Sequence, residues 1–189
     1  IGMIVPFLFL CGEKKLAIKQ IEEYDKAKLS GSDIPSHAYN IVHNVPLGIY
    51  DWARGIGWYI LGLIESNTEG LFNSRIVSLA QELLPYQKNN GGFGAMFFNK
   101  NSVNESSGTA LIGLLMVKAY QISSNSRFLE AAIKVEKQLM TATRRSGAID
   151  YCQGDTKGIG YYSTTFSVMP FAQGMALKLS KELNTYAYG

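Results

Sequence analysis

The chain has 189 residues, of which 47% are hydrophobic and 17% are charged, and its net charge is +3. This composition predicts one globular domain with a sizeable core and excludes an intrinsically disordered chain. The 18 basic and 15 acidic residues form no Lys/Arg stripe, so we expect no nucleic-acid partner. The two cysteines, Cys11 and Cys152, lack the spacing of metal ligands and are expected to be buried or free thiols.

Helices of two alternating kinds are predicted along the chain. The first kind is apolar on nearly all sides and should be buried. It covers residues 3–10, 52–64, 109–120 and 166–179. The second kind is amphipathic and should form an outer layer. It covers residues 17–24, 76–84 and 128–139. The regular spacing predicts a repeat of helical hairpins, and therefore an all-α fold with about seven helices.

The first apolar segment is too short to span a bilayer, so we expect a buried helix there and no membrane partner. It contains Pro6, and the last apolar segment contains Pro170. A proline inside a helix removes a main-chain donor. We therefore expect both helices to be kinked or shortened.

Three loops rich in Gly, Asn, Ser and aromatic residues each lead into an apolar helix. They cover residues 30–50, 91–108 and 147–164. Because all three enter the same end of those helices, they should cluster on one side of the array, where we expect a functional site. The sequence has no P-loop, dinucleotide-binding fingerprint or nucleophile elbow, and we expect neither a cofactor nor a metal ion.

The second apolar helix begins with an unusual combination of residue types. In a helix, Arg54 and Trp58 lie one turn apart on the same side, and Gly55 and Gly57 bare the backbone between them. A guanidinium can bind a carboxylate, and an indole provides a flat wall for a sugar ring. This side of the helix suits an anionic sugar. The alternative is a buried cation–π pair at a tightly packed helix crossing.

The chain has two histidines, His37 and His43, both in the loop before this helix. His37 stands among polar and aromatic residues and can bind or orient a polar ligand near neutral pH. The alternative is a loop histidine that is hydrogen-bonded to backbone. The carboxylates expected on the loop side are Asp51, Glu105, Asp150 and Asp155, and none can be singled out as an acid.

Residues 52–58 (Trp-Ala-Arg-Gly-Ile-Gly-Trp) resemble the Trp-Ala/Gly-Arg-Gly-Asn/Gln-x-Trp signature of the unsaturated uronyl hydrolases, glycoside hydrolase families 88 and 105. Residues 37–40 (His-Ala-Tyr-Asn) resemble the His-Ala/Gly-Tyr/Trp-Asp that precedes this signature. Residues 105–110 (Glu-Ser-Ser-Gly-Thr-Ala) resemble the Glu-Thr-Ser-Gly/Ala-x-Ala that follows it. Residues 3–12 resemble the segment after the family's catalytic aspartate.

This resemblance implies an α/α toroid of six helical hairpins, of which the chain would supply about half. Residues 1–189 would form the C-terminal portion of a single domain. In the family, an aspartic acid is thought to protonate the carbon–carbon double bond of a 4,5-unsaturated uronic acid left by polysaccharide lyases. Water then adds, and the resulting hemiketal opens. The usual glycosidase mechanism instead places two carboxyl groups at the glycosidic bond.

The resemblance also implies roles for individual residues. His37 would contact the unsaturated sugar, Arg54 would hold its carboxylate and Trp58 would wall its ring, with Trp52 in the same substrate-binding group. The family's catalytic aspartate lies four positions before the residue that matches Met3, which is just ahead of Ile1, so we expect the N-terminal portion of the domain upstream of Ile1.

Two residues depart from the family pattern. Ile56 replaces an Asn or Gln, and Asn40 replaces an Asp. Two explanations fit these departures: the chain acts on a changed substrate, or it is a degenerate relative that has lost hydrolysis.

We therefore predict a hydrolase that acts on unsaturated oligosaccharides, in the cytoplasm or alternatively in the periplasm, with oligomerisation left open. The alternative is a carbohydrate-binding protein of a polysaccharide gene cluster that keeps the toroid without catalysis. A purely structural helical-repeat module is the third hypothesis.

Overall fold

The computed structural model describes residues 1–187, so residues 188–189 of the predicted single domain lie outside the described part. Seven α-helices are found within residues 1–187, as predicted. They are α1 (Ile4–Leu10), α2 (Lys14–Asp25), α3 (Ala53–Glu65), α4 (Asn73–Leu83), α5 (Ser106–Ser123), α6 (Ser126–Thr141) and α7 (Pro170–Ala187). Two short 3-10 helices cover Thr68–Gly70 and Leu84–Tyr86.

Two small antiparallel sheets are present, and three of their four strands lie in regions predicted to be loops. Strand β1 (Ala38–Asn40) pairs with β2 (Val45–Leu47), and β3 (Cys152–Gln153) pairs with β4 (Phe166–Ser167). The second pair corrects the predicted start of the last helix, because residues 166–167 are extended and α7 begins only at Pro170.

Helix α5 is the centre of the array and packs against α3, α4, α6 and α7. Its residues 106–117 are all buried. Gly113 allows the close packing, because a Cβ atom there would lie 2.7 Å from Val135 of α6 and 2.8 Å from Leu179 of α7. The prediction of a helix buried on most sides is confirmed for α5 and for α3.

The outer helices α2, α4 and α6 bury one apolar stripe each, as predicted. The buried residues are Ala17 and Ile21 in α2, Ile76, Leu79, Ala80 and Leu83 in α4, and Phe128, Ala131, Ala132, Val135 and Leu139 in α6.

The prediction that α1 is a buried helix is wrong. Val5 is its one buried residue, whereas Phe7 is 63% exposed and Leu10 is 88% exposed. The physical reason is position: α1 packs against α2 and α3 on one side, and its other side faces outward.

The expected shortening is observed at Pro170, where α7 begins instead of at residue 166, whereas Pro6 is the third residue of α1 and lies inside that helix. First-turn N–H groups have no partner within the helix, so a proline there loses no helical hydrogen bond.

The loops that precede α3, α5 and α7 meet on one side of the array, as predicted. His37 of the first loop contacts Tyr162 of the third, and Trp52, shortly after the first loop, pairs with Met96 of the second. The backbone N–H of Ser106, at the end of the second loop, donates to the carbonyl oxygen of Tyr151 in the third. No helix within residues 1–187 has the length and apolar character needed to cross a bilayer.

Candidate functional site

The first turn of α3 is anchored to the loops that surround it. Trp52 precedes the helix in an extended conformation, and its carbonyl oxygen accepts the N–H of Ile56 at 3.0 Å. The N–H of Ala53 donates to the carbonyl oxygen of Ala95 at 3.0 Å, which ties the helix to the loop before α5. The motif of residues 52–58 therefore begins at the loop side of the array.

The glycines of this motif make room for side chains of the protein. A Cβ atom on Gly55 would lie 2.4 Å from Cε3 of Trp52, and one on Gly57 would lie 2.6 Å from Leu111. The expectation that both glycines open the backbone to a ligand is therefore wrong for Gly57. Gly55 borders a cavity, but the space left by its missing Cβ is filled by the indole.

A cavity of about 300 Å³ lies beside the start of α3. Its lining residues are Ile1, Gly2, Met3, Ile4, Tyr24, His37, Trp52, Gly55, Trp58 and Tyr59. This volume is at the lower end for ligand pockets in proteins. Three of the four predicted substrate-binding residues thus border one cavity, and Arg54 does not.

Two rings of the cavity wall, those of His37 and Trp52, pack against each other and against the ring of Tyr162. The ring centroids of His37 and Trp52 are 4.6 Å apart, those of Trp52 and Tyr162 are 5.0 Å apart, and those of His37 and Tyr162 are 5.6 Å apart. The indole N–H of Trp52 donates to Oε1 of Gln153 at 2.9 Å. Each ring is therefore fixed by its neighbours.

His37 is half-buried, and its Nδ1 lies 3.2 Å from the hydroxyl of Tyr162. This side-chain contact replaces the bond to backbone that was the alternative for its ring. Burial lowers the pKa of His37 below its usual value, because the charged imidazolium loses hydration. The ring is therefore neutral near pH 7.

His43 lies apart from the cavity, exposed in the turn between β1 and β2. Within residues 1–187 no group of three or more His, Cys, Asp or Glu side chains is arranged to hold a metal ion.

Arg54 is 4% exposed, and its guanidinium binds other parts of the protein. Nε donates to Oγ of Ser107 at 3.1 Å, Nη1 donates to the carbonyl oxygen of Gly154 at 3.2 Å, and Nη2 donates to the carbonyl oxygen of Gln153. Its Cζ lies 4.7 Å from the ring centroid of Phe171. The cation–π alternative for this residue is therefore observed, with Phe171 as the ring.

Glu105 is fully buried and serves as the N-cap of α5. Its carboxylate accepts hydrogen bonds from Ser107 N, Ser107 Oγ, Gly108 N and Gln153 N, at 2.6 to 3.1 Å. Oε1 also lies 3.8 Å from Nη2 of Arg54. Glu105 thus holds the start of α5 and strand β3 in place.

The two departures from the family pattern lie outside the cavity lining. The side-chain oxygen of Asn40 accepts the N–H groups of Val42 and His43, both at 3.0 Å, and so stabilises the turn after β1. Ile56 is 2% exposed and belongs to the hydrophobic core.

Sequence reasoning missed several residues that build the site: Tyr24, Gln153, Tyr162 and Phe171. The hydroxyl of Tyr24 lies 2.8 Å from the carbonyl oxygen of Ser36, to which it donates, and it holds the chain directly before His37. The aromatic and glycine-rich composition of residues 147–164 predicts that this loop lies on the side of a functional site. It does not indicate which of its residues meet Trp52 and His37.

Comparisons with known proteins give the class of the fold. The chain superposes on a possible member of the GH105 family from Klebsiella pneumoniae (20% identity, TM-score 0.75), covering 91% of this chain and 50% of that one. For a possible GH105 member from Salmonella enterica the identity is 19% and the TM-score is 0.78, and the superposition covers 98% of this chain and 53% of that one. For a protein described as a polysaccharide lyase the identity is 19% and the TM-score is 0.73, and the superposition covers 99% of this chain and 60% of that one. No curated protein matches the chain.

The fold is that of an α/α toroid, of which this chain forms about half. The chain spans about half the length of the first two structures it matches, at 50% and 53%. The model of Glycosyl Hydrolase Family 88 matches residues 48–187. The chain therefore belongs to Glycosyl Hydrolase Family 88.

Proposed function

We propose that this protein acts in the release of 4,5-unsaturated uronic acid from oligosaccharides that lyases have produced. The chemistry would be hydration of the sugar's double bond, and residues 1–189 would form the C-terminal portion of the catalytic domain. The observation that carries this proposal is the cavity beside α3, where His37, Trp52 and Trp58 meet. A cavity of about 300 Å³ with aromatic walls and one imidazole suits a single sugar ring.

In this proposal Trp58 walls the sugar ring and His37 hydrogen-bonds to one of its polar groups. Trp58 is half-buried, so part of its indole is open to a ligand. The neutral imidazole of His37 can both donate and accept a hydrogen bond. Trp52 supports His37 through the ring contact at 4.6 Å.

Arg54 is proposed to attract the carboxylate of the sugar. Its Nε and one N–H of Nη1 donate to Ser107 and Gly154, and its Nη2 donates to the carbonyl oxygen of Gln153 and to Sγ of Cys152. A carboxylate would therefore meet the remaining N–H of Nη1, or would be attracted from a distance by the buried charge. The ring of Phe171 covers one face of the guanidinium, with its centroid 4.7 Å from Cζ.

The position of Ile1 supports the proposed location of the acid. Ile1 and Gly2 line the cavity. The resemblance to the unsaturated uronyl hydrolases places the catalytic aspartic acid just ahead of Ile1. An acid at that position would follow the chain on from the cavity wall.

The locations of Asn40 and Ile56 also support an active enzyme. Asn40 binds the β1–β2 turn and Ile56 packs in the core, so neither substitution removes a polar group from the cavity wall.

A catalytically inactive carbohydrate-binding protein is the second candidate function. The observation that favours it is the make-up of the cavity wall, in which aromatic rings and one imidazole supply the contacts. Such a wall binds a sugar without any chemical step.

The test follows the ultraviolet absorbance of the unsaturated uronyl group during incubation with lyase-generated disaccharides. The longest polypeptide encoded by the reading frame is used, and binding is measured in parallel by calorimetry. The matched variants are His37→Ala and His43→Ala, because one histidine lines the cavity and the other is exposed in a turn.

We expect the absorbance to fall, and His37→Ala to reduce kcat/KM about tenfold or more, through the loss of one hydrogen bond to the substrate. His43→Ala should leave the rate unchanged. Binding without loss of absorbance would favour the second candidate function. Neither binding nor loss of absorbance across the panel of disaccharides would refute both.

A further inference from the structure

The hydroxyl of Tyr162 joins two loops that meet above the cavity. It lies 3.2 Å from Nδ1 of His37 and 3.2 Å from the backbone nitrogen of Ile49. Tyr162 is 125 residues from His37 in sequence. The three groups form a short hydrogen-bonded chain.

The direction of each hydrogen bond in this chain follows from the available protons. The backbone N–H of Ile49 can only donate, so the oxygen of Tyr162 accepts from it. That oxygen carries one proton of its own. Among the hydrogen bonds of residues 1–187, Nδ1 of His37 is the acceptor available to this proton. If Nδ1 carried a proton instead, the hydroxyl proton of Tyr162 would have no acceptor there, which is costly for a half-buried group.

The surrounding backbone fixes this arrangement. Gly48 has a φ of +79°, and a Cβ atom on it would lie 2.7 Å from Cβ of His37 and 2.8 Å from the hydroxyl of Tyr162. The backbone N–H of His37 donates to the carbonyl oxygen of Ile49 at 3.1 Å. The imidazole and the phenol are therefore held together from both sides, with Trp52 packed against both rings.

We propose that Tyr162 is a positioning residue, whose hydroxyl donates to Nδ1 of His37 and holds the imidazole in the tautomer that carries its proton on Nε2. His37 then presents a hydrogen-bond donor to the cavity. This inference rests on the proposed function for the statement that a sugar receives that hydrogen bond. The tautomer itself rests on the contacts of Tyr162.

The experiment measures the imidazole nitrogen chemical shifts of the 189-residue chain labelled with nitrogen-15 histidine. These shifts distinguish a protonated from an unprotonated ring nitrogen. The chain has two histidines, and exposed His43 serves as the internal reference for an imidazole that no side chain holds. Spectra are recorded at about pH 8, because burial lowers the pKa of His37 below its usual value.

In the unmodified chain we expect His37 to be wholly in the Nε2–H tautomer and His43 to be a mixture. Tyr162→Phe keeps the ring and removes the hydroxyl, so the shifts of His37 should move toward those of His43. A proton on Nδ1 of His37 in the unmodified chain would overturn the proposal without any variant. Identical His37 shifts in the two chains would overturn it as well.

Calorimetry with an unsaturated disaccharide, carried out on the longest polypeptide encoded by the reading frame with and without Tyr162→Phe, separates this inference from the proposed function. We expect Tyr162→Phe to weaken binding about tenfold, because one neutral hydrogen bond to the sugar is no longer aligned. The expected nitrogen shifts without any sugar binding would support the positioning role and refute the proposed function. Sugar binding of equal strength in the two chains, with unchanged shifts, would refute the positioning role alone.

Discussion

Arg54→Ala is predicted to destabilise the fold strongly, because the guanidinium joins three parts of the chain. It binds Ser107 at the start of α5 and the carbonyl oxygens of Gln153 and Gly154 beside β3. Removing one partner of a buried ion pair costs about 3–5 kcal/mol. Glu105 keeps four hydrogen bonds to its carboxylate, which points to the lower end, about 3 kcal/mol.

The assay is urea unfolding of the 189-residue chain, followed by far-ultraviolet circular dichroism. With a slope of about 2 kcal/mol per molar urea, the loss corresponds to a midpoint lower by about 1.5 M. The matched control is Arg144→Ala. Arg144 pairs with Asp150 at 2.6 Å, a shorter distance than the 3.8 Å between Arg54 and Glu105, but its side chain is 58% exposed. An exposed pair contributes little, so this variant should unfold near the midpoint of the unmodified chain.

Equal urea midpoints for Arg54→Ala and Arg144→Ala would refute this reasoning. The loss of the buried ion pair is expected to lower the free energy of unfolding more than the loss of the exposed pair, although its two charged atoms lie farther apart. That result would also show that the contacts of Arg54 with Gln153 and Gly154 contribute little.

For the proposed role of Arg54 in substrate binding, Arg54→Lys is the better variant, because it keeps the buried charge. It should raise KM through the lost planar geometry, and an unchanged KM would contradict a contact between Arg54 and the sugar.

Two further predictions concern stability and thiol chemistry. Gly55→Ala should lower the free energy of unfolding by about 1–3 kcal/mol, because its Cβ would lie 2.4 Å from Trp52. In α7, the Cβ of Gly174→Ala meets nothing within 4 Å, so this variant should raise the free energy of unfolding by about 0.5–1 kcal/mol. Equal urea midpoints for the two variants would contradict this prediction. Burial raises the pKa of the Cys152 thiol to about 12, so at about pH 8 a thiol reagent should modify exposed Cys11 quickly and Cys152 only after denaturation. Above about pH 9 the folded chain keeps the proton of the Cys152 thiol, whereas the unfolded chain releases it. The free energy of unfolding should therefore fall as the pH rises above about 9. Rapid labelling of both thiols in the folded chain would contradict the burial of Cys152.

The alternation of inner and outer helices could be predicted because it depends on local spacing. Apolar residues on all sides of a segment indicate a buried helix, and α3 and α5 confirm this. The same pattern failed for α1, and also for α7, which buries one side only and leaves Leu177 62% exposed. Hydrophobic side chains show that a surface is suited to burial, but they do not show whether another element covers it. Phe7 and Leu10 are exposed for that reason.

The candidate site could be predicted in part. The types of residue in the 52–58 motif indicated a cation and two indoles near one another, and residue types alone allowed Arg54 either to bind a ligand or to bind the protein. The guanidinium of Arg54 donates to the carbonyl oxygens of Gln153 and Gly154, which are about 100 residues away in sequence. Pairings at that distance depend on the packing of whole loops and leave no local signal.

The contacts of one loop link the buried cation to the cavity wall. Arg54 binds the carbonyl oxygen of Gln153, and the side chain of Gln153 accepts the indole N–H of Trp52. Trp52 packs against His37, which is bonded to Tyr162 farther along the same loop. Arg54 is therefore linked to the cavity wall through Gln153 and Trp52, although it does not line the cavity itself. A planar group with several fixed donors suits this task better than a lysine, because it can hold two successive carbonyl groups at once.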